Sequence, residues 1–181
     1  MVPCIQQVQI RNYKSIAQIS VNLELFTVLV GPNGAGKSNF IDALAFVQEC
    51  LSESIELAFK NRGGIAAVRR SSAGHPTHTA IRLILNLGDD LYADYAFEIA
   101  AKPTERFNVA RERCVVEKLM GERHSFEIED GKFTTEIPGI RPKVAPDRLA
   151  LFAASATEEF RPVYDFLTSM RFYSIVPVRL R

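Results

Sequence analysis

The sequence has little that would place the protein outside the cell or across a membrane. Its 181 residues include only three cysteines, Cys4, Cys50 and Cys114, and their spacing matches no metal-binding motif. Scattered, unpaired cysteines are typical of a reducing cytosol, where they act as small buried hydrophobic side chains. No apolar run approaches the roughly 18 residues that span a bilayer. No basic stretch followed by an apolar one opens the chain, so we expect no signal peptide, no membrane partner and a cytoplasmic location.

The sequence also lacks an excess of charge and the marks of several enzyme classes. Its formal net charge of +1 predicts no partner by itself. We find no internal repeat and no low-complexity segment. His75, His78 and His124 have no cysteine beside them in the sequence, and we expect exposed histidines rather than a metal site. No Ser/His/Asp arrangement indicates a hydrolase triad.

What the chain does have is a complete phosphate-binding loop motif. Residues 31–38 read GPNGAGKS and match GxxxxGK[ST]. In this motif backbone N–H groups surround the phosphates, the lysine reaches the outer phosphates and the hydroxyl holds Mg²⁺. The motif therefore assigns Lys37 to the β- and γ-phosphates and Ser38 to the metal. The other predicted nucleotide-binding residues, which allow close backbone approach or supply N–H groups, are Gly31, Asn33, Gly34, Ala35, Gly36 and Asn39.

The neighbouring sequence supports this assignment. Leu25–Val30 is a short apolar run before the loop, as a buried parallel strand would be. Four apolar residues after the loop, spaced four, three and four apart, predict one apolar stripe along a helix: Phe40, Leu44, Val47 and Leu51. The free N–H groups and the partial positive charge of that helix would face the phosphates. A plain glycine-rich turn is the alternative, but it would not require both Lys37 and Ser38.

The whole chain is predicted to form a single lobe, 1–181, in three parts. They are a strand, loop and helix core at 1–70, an antiparallel β-subdomain at 79–137, and helices with a final strand at 147–181. Strands are predicted at 5–10, 15–23, 25–30, 79–87, 91–100, 107–120, 125–129, 133–137 and 171–178, and helices at 37–51, 55–60, 146–154 and 157–170. Turn signals at 88–90 and 130–131 predict hairpins, and prolines at 138, 142 and 146 predict a linker.

Hydrolysis at such a loop needs an acidic residue at the end of an apolar strand to complete the Mg²⁺ shell. Two segments offer an acid in roughly that position, ending at Asp89 and at Asp130. The first has a turn glycine before the acid, and the second alternates apolar and polar residues, so both fit hairpins better. We therefore expect no full hydrolytic apparatus in these residues. The remainder would lie beyond Arg181 or in another chain.

Three segments of the first third resemble the RecF/SMC/ABC-like ATPases. Ile10–Ile16 resembles the first strand and turn of that group, Gly31–Asn39 resembles its Walker A loop, and Ile41–Leu44 resembles the helix that follows. Within the group, the chain is most similar to the bacterial RecF-like AAA ATPases. There a segment like Asn61–Gly64 precedes an antiparallel β-subdomain, and the ending Phe172–Pro177 is also similar. The resemblance implies the N-terminal half of an ABC-type head.

Such heads dimerise around two ATP molecules, with a Walker A loop from one subunit and a signature motif from the other. The resemblance thus implies ATP and Mg²⁺ as cofactors, a homodimer through the head, and DNA as a candidate partner. It also implies base or ribose contacts from the turn after the first strand. That turn contains Arg11, Asn12, Tyr13 and Lys14, and the alternative is a surface turn with a packed tyrosine. The sequence departs from the group in showing no LSGG-like signature, no Walker B and no glutamine after Gln48 for a Q-loop.

A stretch without acidic residues follows the loop helix. The basic residues in 57–88 are Lys60, Arg62, Arg69, Arg70 and Arg82. Clustered cations neutralise phosphates, so one hypothesis is a nucleotide-sensing or DNA-facing patch. A solvated basic loop is the alternative.

The sequence as a whole predicts an α/β fold, a P-loop NTPase lobe with an antiparallel β-subdomain, incomplete as an ATPase. Its expected function is ATP binding, with hydrolysis only when a C-terminal half and a dimer partner complete the site. The resemblance implies a process such as DNA repair or defence against foreign DNA, which is typical of the group. One alternative is a P-loop kinase or GTPase. A GTPase should carry an NKxD-type motif, which is absent, and the β-rich middle argues against a kinase with an arginine-rich lid. Another alternative is an inert interaction module that retains the loop.

Overall fold

The computed structural model describes residues 2–70, 78–102, 106–135 and 147–173. Within these ranges the elements in chain order are β1 (Cys4–Tyr13), β2 (Ile16–Asn22), α1 (Lys37–Ser52), α2 (Ile55–Lys60), α3 (Ile65–Val68), β3 (His78–Asn86), β4 (Leu91–Ala101), β5 (Phe107–Lys118), β6 (Arg123–Glu129), β7 (Lys132–Phe133), α4 (Ala150–Ala154) and α5 (Arg161–Ser169). The fold is α/β. No helix of the described ranges is both long and apolar enough to cross a bilayer.

The described strands form one antiparallel sheet in the order β2-β1-β3-β4-β5-β6-β7. Strand β1 pairs with β2 on one side and with β3 on the other. Strands β1 and β2 of the predicted 1–70 core therefore share a continuous hydrogen-bonded sheet with strands β3 to β7 of the predicted β-subdomain, which we call the meander.

The predicted hairpins are confirmed at both turn signals. Gly88, Asp89 and Asp90 all have positive φ between β3 and β4. Asp130 and Gly131, with φ of 47° and 76°, connect β6 to β7, as an Asp-Gly two-residue turn should. The predicted strands of the meander match β3 to β7 within a few residues, although β7 is only Lys132–Phe133 and residues 136–137 lie outside the described ranges.

The helices cover one face of this sheet. Alternate residues of the strands face them and are buried, for example Leu83 in β3, Tyr95 and Phe97 in β4 and Phe126 in β6. The intervening residues, such as Arg82 of β3, lie on the opposite, polar face. This alternation is the pattern of an antiparallel sheet with one solvated face, and it agrees with the sequence-based expectation.

Helix α1 begins and ends almost where its apolar spacing predicts. Phe40, Leu44, Val47 and Leu51 are all buried in the core. Helix α2 also matches its prediction, and Ser54 caps it by accepting a hydrogen bond from the Leu57 N–H. The short helix α3 was not predicted.

The predicted strand at Leu25–Val30 is wrong. These residues form no strand, and Phe26 and Val30 are 84% and 87% exposed. Both edges of β1 are already paired, and no other described strand lies beside this segment. A parallel strand needs neighbours to satisfy its backbone and bury its side chains, so the apolar pattern alone does not produce one here. Leu23 and Leu29 nevertheless pack partly against the core.

The C-terminal predictions hold in part. Helix α4 begins at Ala150 rather than near 146, and α5 begins at Arg161 rather than Thr157. Thr157 does not cap α5, since its hydroxyl donates to the Ala154 carbonyl. Residues 171–173 form no strand. The rest of that predicted strand and the proline linker lie outside the described residues.

Candidate functional site

The phosphate-binding loop leads directly into the N-terminus of α1. Gly34 and Gly36 have φ of 82° and 92°, a left-handed region that disfavours any side chain. Gly36 is the N-cap of α1, and no side chain caps the helix. No acidic residue lies in the first turn. The helix start therefore presents its partial positive charge without a competing carboxylate.

Lys37 folds back over this loop. Its Nζ donates to the carbonyl oxygens of Gly31 at 2.7 Å and Pro32 at 2.8 Å. The Ala35 N–H also donates to the Pro32 carbonyl. The lysine therefore holds the ends of the loop together and places its ammonium group over the loop.

Ser38 and Asn39 occupy the first turn of α1. Ser38 is exposed. The Asn39 Nδ2 instead donates to Ser15 Oγ at 2.7 Å, so its side chain joins the helix to the β1–β2 turn. A Cβ added to Gly36 would lie 3.6 Å from the same Ser15 Oγ. The turn therefore abuts the entrance of the loop.

The four residues predicted to contact a base or ribose lie in this turn or beside it, but each has a protein partner. Arg11 pairs with Glu98 at 3.0 Å, and Asn12 Nδ2 donates to the His78 carbonyl. Tyr13 is 0% exposed, which is the packed-tyrosine alternative, so its ring does not lie open to stack on a base. Burial and the hydrogen bond to Asp42 raise the pKa of Tyr13.

Five side chains form a charged group between this turn and α1, which we call the Asp42 cluster: Tyr13, Lys14, Asp42, Glu49 and Arg62. Asp42 accepts from the Tyr13 hydroxyl at 2.6 Å, and from Lys14 Nζ at 2.6 Å. Arg62, whose side chain is 5% exposed, donates to Asp42 at 3.0 Å and to both carboxylate oxygens of Glu49. Its guanidinium also lies 5.2 Å from the centre of the Phe46 ring.

The cluster corrects the hypothesis of one basic patch. Arg62 is buried in ion pairs and faces no solvent patch. Arg82 lies on the polar face of the sheet, paired with Asp94 at 2.8 Å. The Arg70 N–H donates to the Asn12 carbonyl, which places the backbone of α3's end beside the β1–β2 turn. Arg62 and Arg82 thus lie on different sides of the fold, so the five basic residues of 57–88 do not form one continuous patch.

The family of this chain follows from its sequence. A model of the RecF/RecN/SMC N-terminal domain matches residues 4–112, which is more than half of the chain. The chain belongs to this family. The assignment agrees with the resemblance of the Walker A region to RecF/SMC/ABC-like ATPases, and it covers the sheet from β1 into β5 as well as the loop.

Two curated relatives from the SMC proteins share parts of this domain. The chromosome partition protein Smc of Methanocaldococcus jannaschii is 43% identical over 44 residues, 24% of this chain and 4% of that protein. The structural maintenance of chromosomes protein 1 of Schizosaccharomyces pombe is 29% identical over 126 residues, 64% of this chain and 10% of that protein. The matches to this chain thus span a small part of both relatives.

A solved structure from work on the "structural biochemistry of ATP-driven dimerization and DNA stimulated activation of SMC ATPases" is also similar. It is 22% identical, with 72% of each chain covered and a TM-score of 0.40. At that score the likeness adds nothing to the family assignment.

Two other groups of sequence candidates lie away from the loop of this RecF/RecN/SMC domain. Asp89 and Asp130 occupy hairpin turns, as expected, and neither ends a buried strand next to Ser38. Of the histidines, His75 lies outside the described residues, while His78 and His124 lie on β3 and β6. No group of three metal-ligating side chains occurs in the described ranges.

Sequence reasoning missed the Asp42 cluster. The position of Asp42, four residues after Ser38 on α1, was a usable signal, because residues four apart lie on the same helix face. The partnership with Arg62 had no local signal, since it joins residues twenty apart. Glu112, a buried carboxyl on β5, was also missed, because it stands among the alternating residues of an ordinary strand.

Proposed function

We propose that this chain binds ATP with Mg²⁺ as the Walker A part of a RecF/SMC-type ATPase head. The observation that carries the proposal is the glycine loop at 31–36 closing onto the uncapped N-terminus of α1, with Lys37 Nζ 2.7 and 2.8 Å from two loop carbonyls. The family assignment supports a nucleotide-binding role for this loop.

The residues present suit a triphosphate. The positive φ values of Gly34 and Gly36 leave the backbone N–H groups free of Cβ obstruction, and these amides, with those of Asn33 and Asn39, would surround the phosphates. The Ala35 N–H would join them only by exchanging its hydrogen bond to the Pro32 carbonyl for one to phosphate. Lys37 would neutralise the outer phosphates, and Ser38 would hold Mg²⁺. The metal would supply charge neutralisation between the phosphates.

Hydrolysis, in this proposal, depends on residues that the chain does not provide. Leu25–Val30 presents apolar side chains and unpaired backbone to solvent, as a strand would whose neighbours come from elsewhere. A C-terminal half would supply those neighbours together with a Walker B acid, and a second head would supply a signature motif. ATP-dependent homodimerisation through the head, and action on DNA, are the corresponding proposals for the whole protein.

Titration with nucleotide tests the proposal. Isothermal calorimetry with ATP and GTP, each with Mg²⁺, should show ATP binding to the chain. Lys37→Ala should weaken it by roughly tenfold to a hundredfold, because a charge-assisted hydrogen bond contributes about 1.5–3 kcal/mol. Lys60→Ala is the matched control, since Lys60 is exposed in the last turn of α2.

The other outcomes distinguish the alternatives. A preference for GTP would contradict the ATPase assignment and favour a GTPase. No binding of either nucleotide would favour an inert interaction module. Equal binding by the Lys37→Ala variant and the unaltered chain would remove Lys37 as a phosphate ligand.

A further inference from the structure

Asp42 occupies a place that the proposed nucleotide site does not explain. It follows the loop by one helical turn, it is partly buried, and its carboxylate faces the β1–β2 turn rather than the phosphate-binding loop. Carboxylates near a triphosphate repel it, so a carboxylate at this position needs another role. Its partners indicate what that role is.

We propose that Asp42 is a positioning residue for nucleotide binding, which fixes Lys14 and Ser15 beside the phosphate-binding loop and is itself held by Arg62. The proposal rests on the proposed function, because it concerns how the same loop receives its nucleotide. Asp42 does not touch the nucleotide in this proposal, and its effect passes through the turn.

Asp42 contacts the β1–β2 turn directly, through the side chains of two adjacent residues. Asp42 Oδ2 accepts from the Tyr13 hydroxyl and from Lys14 Nζ, both at 2.6 Å. Two donors from adjacent residues fix the direction of the turn as well as its distance from α1. Lys14 has a φ of 48°, which a lysine adopts only when its surroundings compensate the strain. The ion pair to Asp42 provides such compensation.

Asp42 is itself held in place by Arg62. Arg62 Nε donates to Asp42 Oδ1 at 3.0 Å. The same guanidinium donates to both carboxylate oxygens of Glu49, at 2.8 and 2.9 Å. Asp42 and Glu49 are seven residues apart, two turns of α1, so Arg62 bridges the length of the helix face. A nearly buried, bidentate arginine is a rigid partner.

A second contact joins the β1–β2 turn to α1. Asn39 Nδ2 donates to Ser15 Oγ at 2.7 Å, one turn of α1 closer to the loop. Ser15 Oγ lies 3.6 Å from where a Cβ on Gly36 would be. Lys14 and Ser15 are therefore held at successive turns of α1, and Ser15 lies at the entrance of the loop.

The charge state of Asp42 fits this role. Burial by itself would raise the pKa of Asp42, but the hydrogen bonds from Lys14 and Tyr13 and the charge of Arg62 hold it below its usual value. The carboxylate therefore stays ionised near neutral pH and accepts from three donors at once. An asparagine has the same shape but only one acceptor oxygen and no charge.

Mg²⁺–ATP affinity of matched variants tests the proposal. Asp42→Asn should weaken binding by about tenfold, which corresponds to about 1.4 kcal/mol, because the variant loses the charge-assisted contacts that hold the turn. Asp94→Asn is the control. Asp94 is also partly buried, with a lowered pKa and two arginine partners, Arg82 and Arg113, but it lies on the polar face of the sheet. It should lower the melting temperature without changing ATP affinity.

A double-variant cycle separates positioning from general loss of structure. If Asp42 acts through Lys14, the Lys14→Met variant should itself bind ATP more weakly, and the double Lys14→Met, Asp42→Asn variant should bind no more weakly than the weaker single variant. Should Asp42→Asn fail to fold, Lys14→Met alone still tests the proposal, and wild-type affinity in that variant overturns it.

The remaining outcomes are distinct. ATP binding that Lys37→Ala weakens but Asp42→Asn leaves unchanged overturns this proposal and leaves the proposed function intact. Equal losses of affinity in Asp42→Asn and Asp94→Asn also overturn it, because they indicate a general effect of stability. No ATP binding by the unaltered chain overturns both.

Discussion

Glu112 is a buried carboxyl group on the helix-facing side of β5. It accepts hydrogen bonds from the Tyr95 hydroxyl at 3.0 Å, from the Leu151 N–H at 2.8 Å and from the Ala150 N–H. It thereby satisfies the first amides of α4 and fastens that helix to the sheet. Burial raises the pKa of Glu112 to about 7, although these three donors oppose the increase.

This residue gives a prediction for the pH dependence of stability. The folded pKa of Glu112 is raised above its usual 4.5, so the folded chain binds its proton more tightly than the unfolded chain does. The corresponding stabilisation is fully present below about pH 4.5 and is lost as the pH rises through about 7, by roughly 3 kcal/mol at most. Urea unfolding at pH 5 and pH 8 should show this loss in the unaltered chain.

The control for that experiment is Glu112→Gln, which cannot ionise. The neighbouring thiols of Cys50 and Cys114 do not contribute in this window, since burial raises the pKa of both well above the usual value. The difference in free energy of unfolding between the two pH values should therefore be smaller in the variant. An equal difference in both proteins would show that Glu112 does not titrate in this range.

Single residues also differ in whether the sequence alone could predict their roles. Lys37, Ser38 and the loop glycines were predicted to bind phosphate from a motif, which depends only on residue type and spacing. Asp42 and Glu112 were not, because a partly buried and a fully buried carboxylate look in sequence like any acid of a helix or strand. Their roles come from donors that are distant in the chain.

At the scale of elements, the segment between β2 and α1 is the one whose sequence and structure disagree. It has the composition of a central strand, but it pairs with no described strand and most of its side chains are exposed. Among the described residues, no backbone N–H of 25–30 donates to another backbone group.

Hydrogen exchange should report this difference directly. Amides of residues 25–30 should exchange at nearly the rate of an unstructured peptide, because exchange protection depends on hydrogen bonds and burial. Amides of β1, paired on both sides, serve as the internal reference and should exchange much more slowly. Protection of 25–30 equal to that of β1 would mean that this segment is already a strand in the isolated chain.

Helix α2 gives a second prediction at this scale. Ser54 Oγ accepts from the Leu57 N–H at 3.1 Å, so Ser54→Ala should cost about 1 kcal/mol of stability. Ser169→Ala is the control. The Ser169 hydroxyl donates to the Phe166 carbonyl at the C-terminal end of α5, so it caps no helix N-terminus. Its effect should stay within about 0.5 kcal/mol. Equal changes in the urea midpoint would contradict the cap.

At the scale of the whole molecule, the described helices pack against one face of a single antiparallel sheet. Its helix-facing side holds α1 through a continuous apolar core, and β1 connects the loop region to the meander. The phosphate-binding loop lies at an end of α1 whose other surroundings are open, since the segment before it is exposed. The described structure thus supports the proposed nucleotide site from one side and leaves its other side open.

The proposed function predicts what this molecule does alone. The unaltered chain should bind ATP but release phosphate no faster than its Lys37→Ala variant, because the acid and the signature motif needed for hydrolysis are not among the described residues around Ser38. Phosphate release measured at saturating Mg²⁺–ATP checks this. Lys37-dependent turnover by the chain alone would contradict the proposal that other residues complete the site.

By itself, the sequence determined the elements whose signals are local. The loop motif, the apolar stripe of α1 and the Asp-Gly hairpin each depend on residues within a few positions of one another, and backbone geometry then leaves little choice. Only the tertiary structure decided that β1 joins two sets of strands into one sheet, that Leu25–Val30 stays unpaired, and that Asp42 meets Lys14 and Arg62. Strand neighbours and buried ion pairs are chosen by contacts between distant residues, and no short stretch of sequence contains that information.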